Sequence, residues 1–235
     1  MPLLKTIALN DYTQLFVWKI TETFDELFSS VALKDVSLAR IESMKSESHQ
    51  RGFLAVRRLL MEAGYSDFDL YYDEFGKPHL EAESEKQKAG SEKREETSIS
   101  YLPSPIKKHI TISHSHDFSV IVLSDANVGA DLEILKEKTL KIASRYMDVS
   151  HLDNLSKEDQ LIKATVVWGI KESVFKIKNE IGISFKDNIF EDDFNLEDKK
   201  CCVSLKFNDK TERFNIVFEF IENYVFVCAF SSIPI

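Results

Sequence analysis

Basic residues are in short supply. Lys and Arg number 30 against 39 Asp and Glu, a net charge of −9. That excludes a general nucleic-acid binder, which needs a basic surface, but leaves room for a local basic pocket. Glycine and proline are scarce, at seven and five in 235 residues, while phenylalanine numbers 17. The balance favours packed structure over flexible linker. No apolar run exceeds strand length, far short of a membrane span. The three cysteines, Cys201, Cys202 and Cys228, have no metal-binding or redox spacing, and no charged leader precedes an apolar segment at the start. Together these features suit a reducing cytoplasm.

The length allows one large domain or two small ones. Residues 14–20, "QLFVWKI", read as a strand, and the pattern from Thr21 to about Gly64 is helical in two or three pieces. The last piece carries Phe53, Val56 and Leu60 on one stripe and stops at Gly64. Residues 67–73 read as a strand, and Gly76-Lys77-Pro78 as a turn. Residues 81–98 are polar and charged, cannot bury a face, and are expected to form a mobile surface loop. Strands follow at "HITISHS", "SVIVLSD" and "NVGADLEIL". Residues 139–147 and 157–180 are expected to be helical, and strands resume at 201–207, 213–220 and 224–230. The order of elements in residues 1–126 resembles that in 127–235, which suggests an internal duplication.

The apolar strand at 128–134 carries two carboxylates. Side chains at i and i+2 share a face, so Asp131 and Glu133 project together, opposite Leu132. Two unpaired carboxylates near a core repel each other and call for a positive partner. A cation held by oxygen ligands, Mg²⁺ or Mn²⁺, is one answer; a solvated edge strand is the other. On the helix that follows, Glu172 lies one turn before Lys176, apart from an apolar stripe of Val167, Ile170, Val174 and Ile177. This is either a surface ion pair or the remainder of a three-carboxylate site. In "ISHSH", Ser113 and Ser115 share one strand face and His114 and His116 the other. The histidines could ligate zinc, donate to phosphate oxygens, or simply be satisfied strand residues.

Four stretches occur in a fixed order: "FGKP" (75–78), "ISHS" (112–115), "VGADLE" (128–133) and "WGIKESVFK" (168–176). Together they resemble the Sfp-type 4′-phosphopantetheinyl transferases of the holo-acyl-carrier-protein synthase superfamily. The resemblance implies an α+β fold in which two similar halves, 1–126 and 127–235, form an intramolecular pseudo-dimer with the site between them. It implies Mg²⁺-dependent transfer of the phosphopantetheine arm of coenzyme A to a serine of an apo acyl or peptidyl carrier protein. Asp131, Glu133 and Glu172 match the metal ligands. Glu172 also matches the general base, and Lys176 the lysine at the pyrophosphate. Phe75, Gly76, Lys77 and Pro78 match the adenine-side loop, Ser113 and His114 phosphate-contacting positions, and Arg51 an arginine at the nucleotide end. Ala130, Gly169 and Gly52 depart from the family's usual residues. A monomer is implied, with no nucleic-acid or membrane partner. The rival readings are a non-catalytic coenzyme A or carrier binder and a metal-dependent phosphoesterase. Lys136, Lys138, Lys141 and Arg145, with Ile142 and Met147, are candidates for a basic and apolar helix face that docks the carrier; an ordinary solvated helix face is the other reading.

Overall fold

The computed structural model describes residues 3–81 and 108–231. Of the expected mobile loop, residues 82–98 lie outside that range. The described chain is α+β. It runs β1 (Leu3–Asn10), β2 (Thr13–Lys19), α1 (Phe24–Ser29), α2 (Asp35–Ser43), α3 (Glu47–Glu62), β3 (Leu70–Tyr72), β4 (Pro78–Leu80), β5 (His109–Ser115) and β6 (Phe118–Ser124). It continues with β7 (Val128–Ile134), α4 (Glu137–Lys141), α5 (Lys157–Lys178), α6 (Phe185–Asn188), β8 (Ile189–Glu191), β9 (Lys200–Phe207), β10 (Lys210–Ile221) and β11 (Tyr224–Ser231). Among the described residues the strands form three antiparallel sheets, ordered β1-β2-β6-β5, β7-β11-β10-β9-β8 and β3-β4. No helix among them is long and apolar enough to cross a membrane.

Strand alternation builds three layers of core. In β2 and β6, Phe16, Trp18, Ile121 and Leu123 face α3, while Leu15, Val17, Val120 and Val122 face the other sheet. In β11, Val225, Val227 and Ala229 face α5, while Tyr224, Phe226 and Cys228 face the first sheet. Each large sheet therefore carries one long helix on its outer face and meets the other sheet across a shared apolar layer. The first long helix ends where the sequence predicts, and the second, expected to reach residue 180, ends at Lys178. Gly64, at φ +84°, takes the left-handed position after α3. Asn179 does so after α5, at φ 50°. At the start of α5, Ser156 accepts from the Asp159 amide at 3.1 Å.

Several elements differ from expectation. β1 was not anticipated; it pairs with β2 through a turn in which Asn10 accepts from the Tyr12 amide at 3.1 Å. The strand expected at 67–73 shrinks to three residues because Asp67 is drawn inward, its carboxylate 2.9 Å from Arg57 Nε. β4, β8 and α6 are additional short pieces. The helix expected over 139–147 stops at Lys141 and gives way to a 3₁₀ turn, Ala143–Arg145. The cause is Tyr146, whose buried hydroxyl donates to the carbonyls of Thr139 and Ala164 and draws the chain into the core. Met147 is buried with it, so it offers a carrier no contact, and Lys141 and Arg145 do not share an uninterrupted helical face. His116 lies beyond β5 at φ 48°, in the turn before β6, so it does not pair with His114 on a strand face.

Candidate functional site

β5 and β7 run side by side where the two large sheets meet, in separate sheets. Side chains bridge them in place of a backbone ladder. Thr111 Oγ1 accepts from the Ala130 amide at 3.1 Å, and Ser113 Oγ from the Leu132 amide at 3.2 Å. Alternation on β7 sends Val128, Ala130 and Leu132 into the layer between the sheets and turns Gly129, Asp131 and Glu133 toward α5. Two glycines allow that helix its close approach. A Cβ on Gly129 would lie 2.0 Å from the Ser173 carbonyl oxygen, and one on Gly169 would lie 2.6 Å from Cγ2 of Val227 on β11.

Asp131 is buried beneath α5. Its Oδ1 accepts from Lys176 Nζ at 2.8 Å and from Ser113 Oγ at 3.0 Å. Its Oδ2 is buried without a hydrogen-bond partner. Glu133 is half-buried and accepts from the Trp168 indole. Loss of water, then the charge of Asp131, push its pKa from 4.5 up to about 7. Glu172, also half-buried, has its pKa raised first by burial and then by Asp131, with Lys176 opposing. The three carboxylates thus form one under-compensated negative site. Among the described residues, however, no group of three His, Cys, Asp or Glu side chains is arranged as it stands to hold a metal ion. Lys176 is the cation that Asp131 has, and it also donates to the Ala130 carbonyl at 2.9 Å.

Lys176 also lines a cavity of about 520 Å³ between α2, α3, β5 and the turn that holds Gly76, Lys77 and Pro78. That volume is in the range of small-molecule sites. Its walls carry basic side chains unusual for so acidic a chain: the Arg40 guanidinium and the imidazoles of His49 and His114 line it, as does Lys77. The Arg40 guanidinium lies over the rings of Phe53 and Tyr72, at 5.7 and 5.2 Å. His49 and His114 meet edge to face at 6.0 Å. Desolvation first, then the charges of His49 and Lys176, lower the pKa of His114, which favours a neutral imidazole. Gly52 leaves space for that ring: a Cβ there would lie 3.0 Å from His114 Cδ2.

The sequence-derived residues are therefore partly gathered. Gly76, Lys77, Pro78, His114 and Lys176 line the cavity; Asp131 and Glu172 are coupled to it through Lys176, and Glu133 only through Asp131 and Glu172. Phe75 is largely exposed beside the turn. Ser113 lies outside the lining and instead pins β7. Arg51 also lies outside it; its guanidinium donates to the Glu22 carbonyl at 3.2 Å and lies 3.9 Å from Glu47. Sequence reasoning missed Arg40 and His49. His49 had a signal: with Phe53, Val56 and Leu60 it falls on one helical stripe (i, i+4, i+7, i+11), a polar ring at the end of an apolar face. No family model matches the chain, and no curated protein matches it.

Proposed function

We propose that the chain is a 4′-phosphopantetheinyl transferase that moves the phosphopantetheine arm of coenzyme A to a serine of an apo acyl or peptidyl carrier protein and releases adenosine 3′,5′-bisphosphate. One observation carries the reading. A carboxylate oxygen of Asp131, Oδ2, is buried without a partner, and the charge of Asp131 helps raise the pKa of two further carboxylates, Glu133 and Glu172, while Lys176, hydrogen-bonded to Asp131, lines a cavity with Arg40, His49 and His114. The ordered motifs of the sequence resemblance support it. So do the two sheet-and-helix units, within residues 1–126 and 127–235, which meet at the site as the halves of a pseudo-dimer would.

The donors are all carboxylate oxygens, which fits a hard divalent cation such as Mg²⁺. Asp131, Glu133 and Glu172 would hold it, the glutamates turning about their longer side chains. When bound, such an ion neutralises charge on the pyrophosphate. The chain's own residues do the rest. The cavity binds the nucleotide end, with Arg40, His49 and His114 placed for phosphate oxygens and the Gly76–Pro78 turn against the base. Lys176 is placed to steady the leaving phosphate. Glu172, with its raised pKa, accepts the carrier serine's proton directly or through water. Phosphoryl transfer needs positioning and charge stabilisation more than covalent help, and the nucleophile belongs to the partner.

The reading is tested by incubating the chain with coenzyme A and Mg²⁺, with and without apo carrier. Carrier-dependent release of the bisphosphate is expected. Carrier-independent release would make the chain a phosphoesterase, and binding without release a coenzyme A-binding module.

A further inference from the structure

The Gly-Lys-Pro turn belongs to the first half of the chain, yet its lysine does not end in open cavity. Lys77 Nζ donates to the carbonyl of Ile177 at 2.8 Å and to Asn127 Oδ1 at 3.2 Å. Ile177 is in the last turn of α5, immediately after Lys176. Asn127 lies in the short link between β6 and β7. A return contact runs the other way: Asn179 Nδ2, at the end of α5, donates to the Phe75 carbonyl at 3.2 Å. The last carbonyls of a helix lack intrahelical partners and carry partial negative charge, so a lysine there is favourable.

The turn is stiff enough to transmit position. Asp73 Oδ1 accepts from the amides of Phe75 and Lys77 at 3.0 and 2.8 Å, and Asp73 Oδ2 lies 3.0 Å from His79 Nε2. The Asp73 amide donates to the Lys77 carbonyl at 3.0 Å, the Gly76 amide to the Asp73 carbonyl at 2.9 Å, and Gly76 supplies the φ of +80° that closes the turn. Asp73 thus fixes the backbone from which Lys77 reaches across.

We infer that Lys77 is a positioning residue: it clamps the C-terminal turn of α5 to the ligand-side turn and so fixes Lys176 on Asp131. This assigns the side chain a role apart from contact with the nucleotide, while the backbone of the same turn still lines the cavity. The kinetic consequence rests on the transferase reading; the mechanical one does not.

The experiment compares Lys77→Met and Lys77→Arg with the parent chain by two readouts. The first is amide hydrogen exchange, followed by mass spectrometry, over peptides spanning residues 172–182. Lys77→Met is expected to speed exchange there severalfold while peptides from β9 and β10 stay unchanged, and Lys77→Arg to restore slow exchange. The second is steady-state transfer from coenzyme A to an apo carrier. Lys77→Met is expected to lower kcat about tenfold, with KM for coenzyme A within about twofold, as for an interaction that matters in the transition state. Unchanged exchange in Lys77→Met overturns the clamp. So does a raised KM for coenzyme A at unchanged kcat, which would make Lys77 a ligand contact. If the parent chain transfers nothing, the transferase reading falls, and the exchange readout still decides the clamp.

Discussion

Glu133→Gln should make the metal-free protein more stable above neutral pH. Glu133 keeps its proton to about pH 7 in the folded chain against 4.5 ordinarily, because burial and the neighbouring Asp131 disfavour its charge. Between those two values the folded state binds more protons than the unfolded one, so this group's contribution to stability falls as pH rises through the window. Fully expressed, a displacement of that size is worth about 3 kcal/mol. Residual solvent at the half-buried carboxylate reduces it to about 1–2 kcal/mol. Glutamine retains an acceptor for the Trp168 indole and loses the charge. The melting temperature of Glu133→Gln minus that of the parent should be near zero below the ordinary carboxylate pKa of 4.5, grow through the window up to about pH 7 and level off above it, by about 2–4 °C per kcal/mol for a domain of this size. Calorimetry in chelator, repeated at several pH values, measures the difference directly. Adding Mg²⁺ should then raise the parent's melting temperature more than the variant's, because the parent alone retains all three oxygen-donor carboxylates. A difference that is flat across pH would refute the electrostatic account. A variant less stable than the parent at high pH would do the same.

Gly129→Ala should destabilise the chain by about 1–3 kcal/mol and also suppress activity. The added carbon would lie 2.0 Å from the Ser173 carbonyl, so α5 must move and carry Glu172 and Lys176 with it; an unaltered melting temperature would show that the helix does not pack as described. Glu191→Ala should cost about 3–5 kcal/mol in denaturant unfolding, because it strands Lys171, which is 1% exposed and paired to Glu191 and the Ile189 carbonyl. Replacing Lys171 and Glu191 together by methionine should cost far less, and equal losses would argue against the ion pair.

The parts of the fold legible in the sequence are those set by period. The alternation of Val128, Ala130 and Leu132 with Gly129, Asp131 and Glu133 places the carboxylates on the face toward α5, and the stripe of Val167, Ile170, Val174 and Ile177 is the buried side of that helix. The break after Lys141 was not legible, because it depends on Tyr146 finding the distant carbonyl of Ala164. Nor was the fate of Lys77, since its Ile177 partner lies 100 residues further along the chain. β1 had a readable signal, the Asn10-Asp11 turn between two apolar stretches. The polar half of the site divides similarly. Charge repulsion between carboxylates follows from spacing on a strand, whereas the choice of Arg40 over Arg51 as a cavity residue depends on how α2 and α3 pack.

The central claim is that the carboxylates and Lys176 serve transfer to a carrier. It is tested most directly by intact-mass spectrometry of an apo carrier protein incubated with coenzyme A, Mg²⁺ and this chain, alongside Glu172→Gln and a carrier whose acceptor serine is alanine. The account predicts that the parent chain adds one phosphopantetheine to the carrier, that Glu172→Gln adds it orders of magnitude more slowly while melting as a folded protein, and that the alanine carrier gains nothing. Unmodified carrier across a panel of fatty-acid, polyketide and peptide-synthetase types, or full activity in Glu172→Gln, would contradict it.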